Sequence, residues 1–130
     1  MSKGRTVRPR IVRSKDCGNS PKNLLAESLA IALATGNAKA ALPLLAEDAA
    51  WEIIGRSTIT GRAAIEMALS KARKVKSVTI QKVLTHGRSG AVSGTIGLSA
   101  AHVRRFCDLY EFSGAGGKTV RRVTSFDLRG

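Results

Sequence analysis

The sequence is poor in aromatic residues and has no cluster of metal-binding or cross-linking side chains. Only 4% of its 130 residues are aromatic, including a single tryptophan. Its two cysteines, Cys17 and Cys107, and its two histidines, His86 and His102, form no CxxC or HxxxH pattern. Disulfide frameworks and structural zinc sites need such clustered ligands, so the sequence predicts neither. The glycine-rich stretch SGAGGK lies between two predicted strands, whereas a phosphate-binding loop joins a strand to a helix, so we do not predict such a loop. We expect no cofactor.

Long apolar runs are also missing. The longest such stretch, LLAESLAIALA, is interrupted and is shorter than the roughly 20 apolar residues that a helix needs to cross a bilayer. No continuous apolar segment follows the charged N-terminus, so we predict no secretory signal. These features predict a cytoplasmic protein that does not bind membranes, in which the thiols stay reduced.

Positive charge is in excess and unevenly distributed. The formal net charge is +13, from 22 lysines and arginines against nine acidic residues. Residues 1–22 hold seven of the basic residues and one acid, Asp16. We interpret residues 1–19 as a basic, disordered arm, because they lack a helical or strand period and have little apolar bulk. An alternative is an arm that binds nucleic acid or another polyanion, although it has no aromatic residue for base stacking.

Residues 20–130 are predicted to form one domain whose helices precede its main sheet. A serine N-cap followed by proline begins the first helix, and a glycine ends it. Pro43 should kink or shorten the second helix, because proline lacks the N–H that an inner helical position needs. The predicted helices cover residues 21–35, 38–46 and 62–73, and a short hairpin covers residues 50–61.

From residue 77 onward the apolar residues recur with a period of two, which is typical of strands. Four strands are predicted, over residues 77–86, 90–98, 102–113 and 118–128. Short turn sequences join them into an antiparallel meander. The segregation of helices and strands predicts an α+β fold with three N-terminal helices packed on one face of the sheet.

The strand HVRRFCDLYEF places a carboxylate among aromatic rings. Phe106, Asp108, Tyr110 and Phe112 share one of its faces, since alternate residues of a strand point the same way. If that face is buried, Asp108 must accept hydrogen bonds or keep its proton, because loss of solvent disfavours the charged form. We therefore predict a pocket in which Asp108 is the ionisable group.

The order of two helices, a hairpin, a third helix and a long meander resembles the nuclear transport factor 2-like superfamily. Its members include SnoaL-like polyketide cyclases, ketosteroid isomerase and limonene epoxide hydrolase. The stretches that carry the resemblance are ATGNAKAALPLLAEDAAWEIIG, ITGRAAIEMAL and FCDLYEFSGAGGKTVRRVTSF. The resemblance covers residues 21–128 and implies a cystatin-like α+β roll with a strongly curved, mainly antiparallel sheet. The superfamily includes isomerases, hydrolases, cyclases and non-enzymes, so the resemblance alone does not imply an activity.

Two known catalytic sets of the superfamily are incomplete in this sequence. Asp108 is similar to the ketosteroid isomerase aspartic acid that stays neutral and donates a hydrogen bond to the developing oxyanion. The positions of that enzyme's base and of its oxyanion tyrosine correspond here to Ile53 and Leu29. The Arg-x-Asp segment of limonene epoxide hydrolase corresponds to Gly94-Thr95-Ile96. An isomerase or an epoxide hydrolase of the standard kind is therefore not predicted.

The remaining prediction is a pocket that binds or transforms a small, mostly apolar molecule with a single carboxylate, as the likeness to SnoaL-like cyclases allows. We expect Asp108 and Tyr110 to be its catalytic groups. The predicted wall is mostly apolar, as in most small-molecule sites, with two polar residues from adjacent strands. The wall residues are Leu29, Leu33, Trp51, Ile53, Ile59, His86, Phe106, Phe112 and Arg122.

Three alternatives stay open at this point. Asp108 could instead hold the strand register through a salt bridge to Arg122 or Arg104, or through hydrogen bonds. The domain could be a non-catalytic module that forms a homodimer through the outer sheet face, with Val103, Cys107 and Leu109 against a second copy. The basic arm could make the protein a polyanion binder.

Overall fold

The computed structural model describes residues 8–15, 17–18, 20–114 and 116–129, without the side chains of residues 128 and 129. Within these ranges the chain forms an α+β fold, as predicted, with three helices and one seven-stranded sheet. The helices are α1 (Pro21–Thr35), α2 (Ala38–Ala41) and α3 (Arg62–Ser70), and a 3₁₀ turn covers Leu42–Leu44. The strands are β1 (Arg10–Val12), β2 (Leu45–Ile53), β3 (Ser57–Thr60), β4 (Ser77–His86), β5 (Ser89–Gly97), β6 (Val103–Phe112) and β7 (Val120–Arg129).

The sheet has the strand order β1-β4-β5-β6-β7-β2-β3 and is mainly antiparallel. Strands β4 to β7 form the predicted antiparallel meander, and β2 and β3 form the predicted hairpin. Two pairings are parallel, β1 with β4 and β2 with β7. Register shifts interrupt the β4–β5, β6–β7 and β2–β7 pairings, and such bulges bend strands and increase their twist.

Local capping explains where α1 begins and ends. The Ser20 side chain accepts a hydrogen bond from the backbone N–H of Asn23 at 3.2 Å, and Pro21 occupies the first turn. Gly36 ends the helix with φ 68°, a left-handed conformation that glycine adopts without steric cost. Both predicted ends of this helix are therefore confirmed. No helix among the described residues is long and apolar enough to cross a membrane.

The second and third helices are shorter than predicted. The predicted helix over residues 38–46 ends at Ala41, and the 3₁₀ turn that follows contains Pro43, which cannot donate a helical hydrogen bond. Strand β2 then begins at Leu45, five residues before the predicted hairpin, because it pairs along β7. The third helix ends at Ser70 instead of residue 73.

The N-terminal segment is attached to the domain, at least in part. Strand β1 pairs with β4, and the Arg13 Nη1 atom donates to Oε1 of Glu27 at 2.7 Å. The backbone N–H of Ser14 donates to Oε2 of the same side chain at 2.7 Å, and Glu27 is only 1% exposed. The prediction of a disordered arm over residues 1–19 is thus wrong for Arg10–Val12, because a three-residue strand is too short to show a period. Residues 1–7, 16 and 19 of the predicted arm lie outside the described residues.

Candidate functional site

A cavity of about 700 Å³ lies between α3, the turn between β2 and β3, and one face of the sheet. We call this face, which carries Asp108, the inner face and the opposite one the outer face. The volume of the cavity falls within the usual range for small-molecule sites, about 300–1,000 Å³. Its walls come from both long helices and from five strands of the sheet. The predicted site residues that line it are Leu33, Trp51, Ile53, Ile59, Phe106 and Asp108.

The other predicted site residues do not line this cavity. Leu29, Tyr110 and Phe112 are buried in the hydrophobic core. His86 is exposed at the end of the β4–β5 hairpin, opposite Ser89. Arg122 is exposed as well, because it pairs with Glu111 on the sheet face opposite to that of Asp108. We therefore leave His86 and Arg122 out of the candidate site.

Asp108 is the end point of a hydrogen-bonded chain. It is 5% exposed, and the Tyr110 hydroxyl donates to its Oδ2 atom at 3.0 Å. Ser125 lies opposite Asp108 in the β6–β7 register and hydrogen-bonds its carboxylate. The Trp51 Nε1–H donates to the Ser125 hydroxyl at 2.9 Å, which leaves the hydroxyl proton available for Asp108. These contacts hold the carboxylate in one orientation at the cavity wall.

The pKa of Asp108 reflects opposing effects. Their net result raises the pKa from 3.8 to about 6: burial and the nearby Asp127 raise it, whereas the hydrogen bonds from Ser125 and Tyr110 lower it. Desolvation is the largest of these effects, so the net shift is upward. Burial, together with the nearby Asp108 carboxylate, raises the pKa of Tyr110 well above its ordinary value. Tyr110 therefore stays protonated, whereas Asp108 can gain and lose a proton near neutral pH.

A second ionisable pair lines the cavity and was not predicted. Arg104 Nη1 lies 3.2 Å from Asp127 Oδ2, and both residues belong to the lining. Asp127 faces Phe106 in the β6–β7 register, so it points to the same side of the sheet as Asp108. The predicted alternative of a salt bridge between Asp108 and Arg104 or Arg122 is not observed among the ion pairs of the described residues.

Two aspartates and the Arg104 side chain thus meet in the cavity lining, although no Arg-x-Asp segment exists at residues 94–96. The period of two on β6 indicates that Arg104 shares a face with Asp108. No comparable signal pointed to Ser125 or Asp127, because their position depends on the register between two strands. Within the described part of the chain, no three His, Cys, Asp or Glu side chains lie close enough to hold a metal ion.

A model of the SnoaL-like domain family matches residues 25–122. The chain belongs to this family. The membership agrees with the predicted nuclear transport factor 2-like superfamily, which is confirmed. A comparison with curated proteins finds no significant match.

Solved structures with the same fold include proteins of several kinds. A protein from Kribbella flavida DSM 17836 that is proposed to be a ketosteroid isomerase is 27% identical, with a TM-score of 0.70 over 84% of this chain and 78% of that chain. A protein from Shewanella denitrificans OS-217 that is proposed to be a SnoaL-like polyketide cyclase is 11% identical, with a TM-score of 0.64 over 84% and 90%. A Catenulispora acidiphila DSM 44928 protein with a ketosteroid isomerase-like fold, in complex with trimethylamine, is 19% identical, with a TM-score of 0.64 over 78% and 83%.

The cavity of this SnoaL-like domain combines apolar surface with several charged side chains. Trp51, Ile59 and Phe106 supply apolar surface, and Asp108 supplies one titratable carboxyl group. Such an arrangement can hold a small molecule through apolar contacts while the Asp108 carboxyl group accepts or donates a proton.

Proposed function

We propose that this SnoaL-like domain binds a small, mostly apolar molecule and moves a proton on it, with Asp108 as the only acid–base group. The observation that carries the proposal is the position of Asp108, which lines the cavity while it is 5% exposed. Its pKa of about 6 supports this role, because proton transfer is most efficient when the pKa of the catalytic group is near the ambient pH.

The proton transfer uses the two charge states of one side chain. The Asp108 carboxylate accepts a proton from a carbon next to a carbonyl group of the ligand, and the resulting acid returns that proton to another atom of the same ligand. Ser125 and Tyr110 keep the carboxylate pointed at the cavity. Tyr110 itself does not line the cavity, so we assign it a positioning role in place of the predicted catalytic one.

The test is Asp108→Asn, which keeps the shape of the side chain and removes the titratable group. Trp51 is the only tryptophan and lines the cavity, so its fluorescence reports ligand entry directly. Hits from a library of small carbonyl compounds should bind to or be turned over by the parent protein. The Asp108→Asn variant should lose turnover by about 100-fold or more, or lose binding, while its far-ultraviolet circular dichroism is unchanged.

The matched control is Asp48→Asn, the same substitution at an exposed position of β2 outside the cavity lining. It should behave like the parent protein. Unchanged turnover and unchanged binding in folded Asp108→Asn would refute the acid–base role.

A second proposal concerns the outer face of the sheet, which we propose binds a second copy of the chain. Val103 is 50% exposed and Leu109 is 45% exposed, and both alternate with the inward residues of β6. Leu84, at 63%, lies on the same face, since Leu84 and Leu109 both pair with Ala91. Large apolar side chains exposed on one sheet face are found at interfaces between symmetric copies.

Two further predictions remain proposals with less support. One is polyanion binding by the N-terminal segment. In this segment Arg13 already donates a hydrogen bond to Glu27, and β1 already pairs with β4. The cytoplasm is the proposed location, since two cysteines in different contexts are typical of a chain kept in its reduced state.

A further inference from the structure

The lining of the cavity carries more positive than negative charge. Its ionisable side chains are four cations and two carboxylates, namely Arg56, Lys71, Arg73, Arg104, Asp108 and Asp127. The cations come from three separate parts of the fold: the turn after β2, the segment after α3, and β6. Cationic groups from distant segments that meet at one cavity produce a positive potential at its entrance, which attracts anions.

Arg104 has a buried side-chain donor without an acceptor among the described residues. Its Nη1 atom lies 3.2 Å from Asp127 Oδ2. Its Nε atom is buried and has no hydrogen-bond partner. A buried donor without an acceptor destabilises the folded protein, so such groups are rare and point to a missing partner. Nε and Nη2 together form the second edge of the guanidinium, which matches the two oxygens of a carboxylate.

We propose that the ligand of this cavity is an apolar carboxylic acid whose carboxylate binds the guanidinium of Arg104. The inference rests on the proposed function, since it concerns the same cavity. Arg104, Phe106 and Asp108 alternate along one face of β6, so the first and last Cα atoms are about 13 Å apart. The apolar body of the ligand then packs on the Phe106 ring, and its far end reaches Asp108.

Asp127 is compatible with an anionic ligand because it contacts a different part of Arg104. Its ion pair uses Nη1 and orients the guanidinium, while Lys71 and the two remaining arginines of the lining supply the excess positive charge. A neutral carboxamide of the same shape offers one acceptor oxygen and no charge, so it pairs with the guanidinium less completely than a carboxylate does. Sites that lose a buried hydrogen bond in this way discriminate strongly against the ligand that lacks the group.

The experiment compares naphthalene-2-carboxylate with the uncharged naphthalene-2-carboxamide, measured by isothermal titration calorimetry against the full chain. The parent protein should bind the carboxylate at least tenfold more tightly than the amide, and the affinity for the carboxylate should fall with added salt. Arg104→Gln should abolish the preference. Arg104→Lys, which keeps the charge without the planar edge, should retain only part of it.

The matched control is Arg105→Gln, since Arg105 is exposed on the other face of the same strand. It should keep the full preference for the carboxylate. Equal binding of the two probes, binding of neither probe, or an unchanged preference in both folded Arg104 variants would overturn the inference. Equal binding would leave the proposed function intact, because the cavity would still bind an apolar molecule. A carboxylate preference that depends on Arg104, together with unchanged turnover and binding in Asp108→Asn, would refute only the acid–base proposal.

Discussion

Asp108 is held in the folded protein against its own preference for water. Burial raises its pKa, and two hydrogen bonds recover only part of the lost hydration. The carboxylate lines the cavity, so a bound ligand excludes the remaining solvent and is expected to raise the pKa further. The chemistry proposed for this residue and its energetic cost to the fold therefore have the same cause.

The cost of burying Asp108 predicts an unusual pH dependence of stability. The pKa is about 6 in the folded protein and about 3.8 when the chain is unfolded, so the folded state binds more protons between these values. Stability from this residue is therefore full below about pH 4 and is lost as the pH rises through 6. The loss amounts to about 3 kcal/mol at pH 8, at roughly 1.4 kcal/mol per pKa unit.

Asp108→Asn removes this titration, so its stability relative to the parent protein should increase by that amount between pH 4 and pH 8. Urea unfolding of both proteins at the two pH values measures the difference. A constant difference across this range would show that Asp108 has an ordinary pKa.

At the level of single elements, Gly94 in β5 allows the neighbouring strands β4 and β6 to pack closely against β5. A Cβ atom on Gly94 would overlap the carbonyl oxygen of Thr79 and lie 3.0 Å from the Phe106 ring. Gly94 adjoins the register shift in β4, where the pairing moves by one residue after Ile80. The glycine therefore sets both the path of the sheet and the place of a ring that lines the cavity.

Gly94→Ala is expected to destabilise the protein by about 3 kcal/mol or more, because the new methyl group meets backbone that cannot move aside easily. Thermal unfolding followed by circular dichroism measures the effect. Gly114→Ala is the control, since a Cβ atom there has no neighbour within 4 Å. Equal unfolding temperatures for the two variants would contradict the proposed close packing.

The buried Glu27 on α1 holds the segment that follows β1. Its two carboxylate oxygens accept hydrogen bonds from the Arg13 side chain and from the backbone of Ser14, each at 2.7 Å. Glu27→Gln should weaken both contacts and cost about 2 kcal/mol, as is typical of hydrogen bonds to a charged group. The amides of Arg10–Val12 should then exchange hydrogen faster, which mass spectrometry can measure. Glu66→Gln, at an exposed position of α3, should leave that exchange unchanged, and unchanged exchange in Glu27→Gln would show that β1 does not depend on this contact.

At the level of the whole molecule, the proposed second copy on the outer sheet face predicts a dimer in solution. Leu109→Arg places a charge at the centre of that face and should convert the dimer into a monomer, which multi-angle light scattering distinguishes. Leu24→Arg is the control, because Leu24 is 50% exposed on α1 and lies outside the sheet. A parent protein that is monomeric at about 100 µM would exclude the interface.

Much of the fold could be predicted because the relevant signals are local. Both ends of α1 follow from Ser20 and Gly36, and the bounds of the strands of the meander were within three residues of those observed. The extent of β2 and the existence of β1 could not be predicted in the same way. These strands exist because they pair with distant ones, and a short segment carries no mark of its partner.

The sequence by itself determined the helices, the meander and the face of β6 that carries Asp108, since capping and alternation act between residues close along the chain. Only the tertiary structure decided what surrounds that carboxylate. The parallel pairing of β2 with β7 joins Trp51 to Ser125, and the register of β7 on β6 sets Asp127 beside Arg104. These neighbours are up to 74 residues apart in the chain. No local signal can therefore specify their contacts, which form only when the strands pair and one face of the sheet is buried.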